Sequence, residues 1–206
     1  MPSKYYAVRN GREIGIFNTW NECKRLVTGF KGAEYKSFTS LSDAEEYIGR
    51  NSKKDAAITD ISNIPEDTAV AYVDGSYNIH TKVFGFGAVI FHKNETHTHS
   101  QGFTDPELAS MRNVAGEIRG AMYAMEYCVD NNIPKLQIFY DYAGIEKWCV
   151  GEWKCNKDGT IAYCDYYNSV KDKVDITFIK VKGHSGDKYN DMADSLAKQA
   201  AGVEEK

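Results

Sequence analysis

No stretch of the 206 residues holds about eighteen consecutive apolar side chains, the length a membrane-spanning helix needs. The opening residues, MPSKYYAVRNG, contain no apolar core of the kind that heads an exported precursor, so a cytoplasmic location is expected. None of the five cysteines (Cys23, Cys128, Cys149, Cys155 and Cys164) forms a C-x-x-C pair, and none stands beside histidine in metal-ligand order. That excludes a zinc framework as the leading reading, and reduced thiols are expected. An excess of positive charge is missing too. The net charge is −4 and the isoelectric point is near 5.8, which argues against a protein that grips nucleic acid by bulk electrostatics alone. Internal repeats and low-complexity tracts are absent.

What is present suits a packed globular chain: 42% of residues are hydrophobic and 13% aromatic, too many for a disordered one. Charge is uneven. Residues 1–50 carry eight basic and six acidic side chains, a net +2, which leaves −6 for the remainder. This asymmetry fits a binding module joined to a metal-using enzyme. Three segments follow from the pattern: a small unit over 1–49, a linker over 50–67 with little amphipathic periodicity, and a larger domain over 68–206.

In the front unit, KYYAVRNGREIGIF reads as strand, turn, strand. NTWNECKRLVTGF has helical spacing at Trp20, Cys23, Leu26 and Val27, with Asn18 or Thr19 as cap. AEYKSF is a third strand, and SLSDAEEYIG a helix capped by Ser42. The order is β-β-α-β-α. From residue 68 the order is β-β-β-α-β-α-α-β-α, a mixed α/β domain with five strands. TAVAYVD is apolar enough for a central strand covered on both faces. A long helix is expected over residues 107–130, and DKYNDMADSLAKQA forms the last one.

Two of the apolar strands end in aspartate: AYVD at Asp74 and IFYD at Asp141. A crossover helix between them makes the two strands parallel, with carboxyl ends at one edge of the sheet, where open α/β sheets bind ligands. Two carboxylates there repel unless a cation lies between them. Glu117 flanks the apolar stripe of the long helix, and Asp194 flanks that of the last helix, so both can lean over the same edge. Singly, each acid is an ordinary turn or solvated helix residue; jointly they describe a cation site. Carboxylate oxygens without thiolate or imidazole suit Mg²⁺ or Mn²⁺ rather than Zn²⁺. Two such ions shared by several carboxylates perform in-line phosphodiester cleavage.

YVDGSY, NVAGEIRGAMYAM, IFYDYAGIEKW and VKGHSGDKYNDMADSLAKQA resemble, in order and spacing, the four motif blocks of the type 1 ribonuclease H family. Residues 4–48 resemble the hybrid-binding, or viroplasmin-type, domain that precedes many of its members. The resemblance implies a ribonuclease H-like five-stranded mixed sheet with flanking helices, preceded by the small β-β-α-β-α domain. It implies hydrolysis of the RNA strand of RNA/DNA hybrids with two Mg²⁺ ions (Mn²⁺ as substitute), leaving 3′-hydroxyl and 5′-phosphate ends, with no membrane and no obligate protein partner. Asp74, Glu117, Asp141 and Asp194 match the metal-holding carboxylates. His184 matches a mobile histidine that exchanges protons or helps product leave, work suited to imidazole. Asn113 matches a minor-groove residue that senses the 2′-hydroxyl. In the front unit Tyr6 and Trp20 match contacts to the DNA strand, and Lys36 and Ser37 match contacts to phosphate. Two departures stand out. Tyr142 follows Asp141 where a small polar residue is common. GEWKCNKDGTIAY occupies the place of a basic protrusion, with Lys154 and Lys157 set against Glu152 and Asp158. A hybrid binder without catalysis, or a DNA-directed nuclease of the same superfamily, are the alternatives.

Overall fold

The computed structural model describes residues 4–48, 57–58, 60–181, 183 and 187–204. The chain divides into two compact units, Met1–Ala56 and Ala57–Lys206.

The first unit has the expected order: β1 (Tyr5–Asn10), β2 (Gly15–Phe17), α1 (Trp20–Val27), β3 (Glu34–Phe38) and α2 (Leu41–Tyr47). Its antiparallel sheet has the order β2-β1-β3. Thr19 caps α1 in a reciprocal box: the Glu22 amide donates to its hydroxyl at 3.3 Å, and its own amide donates to the Glu22 carboxylate at 3.1 Å. At α2 the Ser40 hydroxyl accepts from the Asp43 amide at 3.4 Å, and the helix begins at Leu41, one residue before the expected cap Ser42. Alternation along β1 sends Val8 toward Cys23 and Val27 of α1, and Ala7 toward Ala44 of α2. The two helices therefore cover opposite faces of the sheet.

The second unit holds β4 (Thr68–Tyr77), β5 (Phe84–His92), β6 (Glu95–Phe103), β7 (Lys135–Tyr140) and β8 (Asp175–Lys180) in the order β6-β5-β4-β7-β8. β4, β5 and β6 pair antiparallel, while β4–β7 and β7–β8 are parallel. The β5–β6 turn uses Lys93 and Asn94, both at positive φ, as a two-residue hairpin of this twist requires. The helices are α3 (Pro106–Ala109), α4 (Asn113–Asp130), α5 (Gly144–Cys149), α6 (Asp158–Val170) and α7 (Lys188–Ala201). Ala69, Ala71 and Val73 of β4 join the core under α4 and α6; Val70 and Tyr72 join the core under α7. Tyr189 of α7 packs on both Tyr72 and Phe91, with ring centroids 5.5 and 4.7 Å away, and so anchors the start of that helix.

Four sequence expectations change. Asp74 does not end its strand: β4 runs on to Tyr77 by pairing with β5, while its parallel pairing to β7 stops at Tyr72. The helix expected over 107–130 is broken, because Arg112 adopts φ 54° and separates α3 from α4. Part of the expected linker belongs to the second unit. Ile58, Ile61 and Ile64 pack on the core around Tyr72 and Phe139, and the Ile58 amide donates to the Gln137 side chain at 2.8 Å. These apolar residues lack the periodicity of a helix or strand, so composition alone left them outside. Finally, Cys155 and Cys164 form a disulfide, whereas Cys23, Cys128 and Cys149 are free. The segment before α6 folds back onto that helix, which brings together two thiols that no sequence motif couples.

Helix α7 lies flush on the sheet because Gly87 has no side chain. A Cβ there would collide with the Ala193 carbonyl oxygen and sit 2.7 Å from the Ala197 nitrogen. Gly87→Ala should therefore push α7 outward and lower stability by about 1–3 kcal/mol in urea denaturation, with the largest loss of amide-exchange protection in α7.

Candidate active site

The parallel register aligns Tyr72 with Phe139, so two residues farther along their strands lie Asp74 and Asp141. Glu117 reaches them from α4. That helix approaches closely because Gly75 and Gly116 touch back to back: a Cβ on Gly75 would collide with the Asn113 carbonyl and the Glu117 amide, and one on Gly116 with the Gly85 carbonyl. Asp74, Glu117 and Asp141 each offer an oxygen, and these oxygens lie within 4.8 Å of one another. Asp74 is 7% exposed and Glu117 2% exposed. Burial, then the charge of Asp141, pushes the Asp74 carboxyl up to about 6. Burial followed by the charges of Asp74 and Asp141 raises Glu117 well above the ordinary carboxylate range. Glu117 Oε2 is buried without a hydrogen-bond partner.

Asp194, on α7, stands outside this group of three. Its Oδ2 meets the Lys198 ammonium at 2.5 Å, one turn farther along the same helix. It is close enough for its charge to add to the upward push on Asp74. His184 lies outside the described residues. Gly183 before it is placed against the site, since a Cβ there would come within 2.5 Å of Asp141 Oδ2.

Asn113 opens α4, one turn before Glu117, and borders a cavity of about 400 Å³ together with Arg112, Tyr142, Trp148, Lys154 and Lys157. Tyr142 is not a hydrogen-bonding substitute for a small polar residue but part of an aromatic cluster. Its ring lies 5.8 Å from Trp148 and 6.3 Å from Trp153, and Lys147 sits 5.7 Å above Trp153. The segment in the place of the basic protrusion thus brings Lys154 and Lys157 to the cavity while Trp153 stays 39% exposed beside it.

In the first unit Tyr6, Trp20 and Tyr35 form a row, with centroids 5.8 and 5.7 Å apart, and Trp20 and Tyr35 are 40% and 46% exposed. Trp20 is therefore a surface residue in this small unit. Ser37 pairs with Tyr6 across the strands and shares its face. Lys36 points to the other face, its ammonium 5.3 Å above Phe38, which packs on Tyr47 of α2. The four front residues expected to act together are thus split three to one. Tyr35 was not among them. The alternation in EYKS carries it, since Tyr35 and Ser37 must share a face that Lys36 does not.

Residues 66–202 match the family model for ribonuclease H, and residues 4–48 match the ribonuclease H1 N-terminal domain. The chain belongs to the ribonuclease H family. That family consists of hydrolytic endonucleases. The chain is 25% identical to human ribonuclease H1 over 257 aligned positions, covering 96% of this chain and 89% of that protein. A Saccharomyces cerevisiae ribonuclease H is 56% identical over 46 residues, 22% of this chain and only 13% of the yeast protein. A Pseudoalteromonas translucida ribonuclease H is 30% identical over 148 residues, covering 66% of this chain and 92% of that protein. Among solved structures, the N-terminal ribonuclease H domain of a Mycobacterium tuberculosis protein superposes with a TM-score of 0.55 at 19% identity, covering 66% of this chain and 94% of that one. The compost-derived LC11 ribonuclease H1, solved with an RNA/DNA hybrid, gives 0.53 at 18% identity, covering 65% and 96%.

The residues of this ribonuclease H fit a divalent cation. Three crowded carboxylates, one with an orphaned buried oxygen, offer hard donors and too much negative charge for their burial. Without a cation the crowding works against the fold. Because folding raises the Asp74 carboxyl above an unfolded aspartate, its contribution favours the native state at acid pH and is lost as pH rises through about 6. In EDTA, Asp74→Asn should raise stability at pH 7.5 by about 1–3 kcal/mol. It should also flatten the decline between about pH 4 and pH 6.5, measured by thermal melting across that range.

Proposed function

We propose that this protein cuts the RNA strand of RNA/DNA hybrids by cation-assisted phosphodiester hydrolysis at Asp74, Glu117 and Asp141, leaving 3′-hydroxyl and 5′-phosphate ends. The observation that carries this reading is the buried three-carboxylate group, with its unpartnered Glu117 oxygen, at the carboxyl edge of two parallel strands of a ribonuclease H sheet. Asp74, Glu117 and Asp141 would hold one divalent ion, Mg²⁺ or Mn²⁺, and Asp194 would contribute to a second. Such ions supply charge neutralisation at the scissile phosphate and a water acidic enough to attack it.

The chain's own groups do the rest. Burial of the carboxylates keeps water from screening them, so their field on the reacting phosphate is stronger than at the surface. The Asn113 amide is assigned a hydrogen bond to a 2′-hydroxyl, the group that separates RNA from DNA, which its position on the cavity one turn before Glu117 supports. Arg112, Lys154 and Lys157 give the neighbouring cavity a cationic rim for backbone phosphate, and the rings of Tyr142 and Trp148, the latter packed against Trp153, give it flat apolar walls against sugars. His184 is assigned proton exchange. The front unit binds the hybrid through Tyr6, Trp20 and Tyr35, with Ser37 beside them and Lys36 reaching phosphate from the opposite face. Joined to the nuclease on one chain, it raises the local concentration of substrate and favours repeated cuts on one hybrid.

Incubation with Mg²⁺ and end-labelled RNA/DNA, RNA/RNA and DNA/DNA duplexes tests the reading. Only the hybrid's RNA strand should be cut; preferential DNA cutting, or binding with no cutting, would sink it. Glu117→Gln should lower kcat on the order of 10²–10³-fold while hybrid affinity, read by fluorescence anisotropy, stays within twofold. Trp20→Ala should cost about 1–3 kcal/mol of binding to long hybrids with no change in melting temperature of the first unit, and should leave single cuts on short hybrids intact.

A further inference from the structure

Among the described residues, Asp194 is the one of the four acids that pairs with a cation. Its carboxylate meets the Lys198 ammonium at 2.5 Å, with the two side chains only 18% and 32% exposed. An acid four residues before a lysine is the favourable orientation of an intrahelical pair, and the helix carrying both lies flush on the sheet at Gly87. Asp74 alternates with Val70 and Tyr72 onto the face of the sheet that α7 covers, and Asp194 lies close enough for its charge to act on Asp74. The two halves of the site are therefore unlike. Among the described residues Asp74, Glu117 and Asp141 form no ion pair, and Glu117 keeps an orphaned oxygen. Asp194 is already neutralised from within its own helix.

We propose that Lys198 is a positioning residue that acts as the resident counter-ion of Asp194. It holds that carboxylate on the helix and makes a second divalent ion compete with the ammonium for it. This inference rests on the cation reading of the site. Uptake of divalent ions then occurs in two unequal steps: a tight one at the three clustered acids, and a weak one that requires Asp194 to leave Lys198. The weak step sets the Mg²⁺ concentration at which the enzyme reaches full rate.

The test is calorimetric titration of the full chain with Mg²⁺ alone, supported by Mg²⁺-dependent thermal shifts and by the Mg²⁺ dependence of kcat. Wild type should show one tight event and one weak event. Lys198→Gln should tighten the weak event about tenfold and move half-maximal activity to correspondingly lower Mg²⁺. Lys198→Arg should behave as wild type, and Lys198→Met, which keeps the aliphatic stem, as Lys198→Gln. In an Asp194→Asn background the Lys198→Gln change should have no effect on Mg²⁺ binding. The inference fails if Lys198→Gln and Lys198→Met leave the isotherm unchanged, or if they shift it equally when Asp194 is already neutral. If wild type takes up no Mg²⁺, the cation reading falls and this inference with it; an unaltered isotherm in the lysine variants removes only the role of Lys198.

Discussion

Three carboxylates held within a few ångströms of one another, two of them buried, are the constraint around which the second unit is organised. Like charges in a poorly hydrated place raise each other's proton affinity, and both Asp74 and Glu117 show it. Such an arrangement lowers stability in the absence of a cation and is retained only where the surrounding fold overrides it. The override here comes from large apolar cores on both faces of the sheet, so the acids are carried to their edge by strands and a helix that are stable for other reasons.

Close backbone approach is the second requirement. Side chains normally hold a helix off a sheet; α4 and α7 settle directly on the strands because Gly75 and Gly87 face them and Gly116 of α4 faces Gly85. Near contact shortens the reach that Glu117 needs to meet Asp74, and it seats Asp194 at the same border. Catalytic placement and core packing are thus one arrangement: the same missing Cβ atoms that let helices settle on the sheet bring their acids to its edge.

The two units differ in surface physics. The front one has a net positive charge and an exposed three-ring row, suited to stacking with little dependence on sequence. The second is acidic overall and brings three of its cations, Arg112, Lys154 and Lys157, to a cavity walled by rings. A disulfide between Cys155 and Cys164 joins the segment carrying Lys154 to α6, whose Thr160 also lines that cavity.

The element order, the parallel pairing of the Asp74 and Asp141 strands and the meeting of those two acids with Glu117 were legible in the residues themselves. Apolar runs, caps and spacing are local properties, and the handedness of a crossover leaves little choice of topology. Asp74 as an in-strand residue, the break at Arg112 and the packing of Ile58 and Ile64 were not legible, because each depends on a partner far along the chain. The same holds for Asp194. Its position beside the stripe of the last helix was readable, but its choice of Lys198 over the other acids is a matter of side-chain direction and charge balance in three dimensions. Sequence determined which groups could carry charge and on which elements; only tertiary structure decided which charges are compensated, because electrostatic energy depends on distance and burial, and neither is a property of sequence spacing.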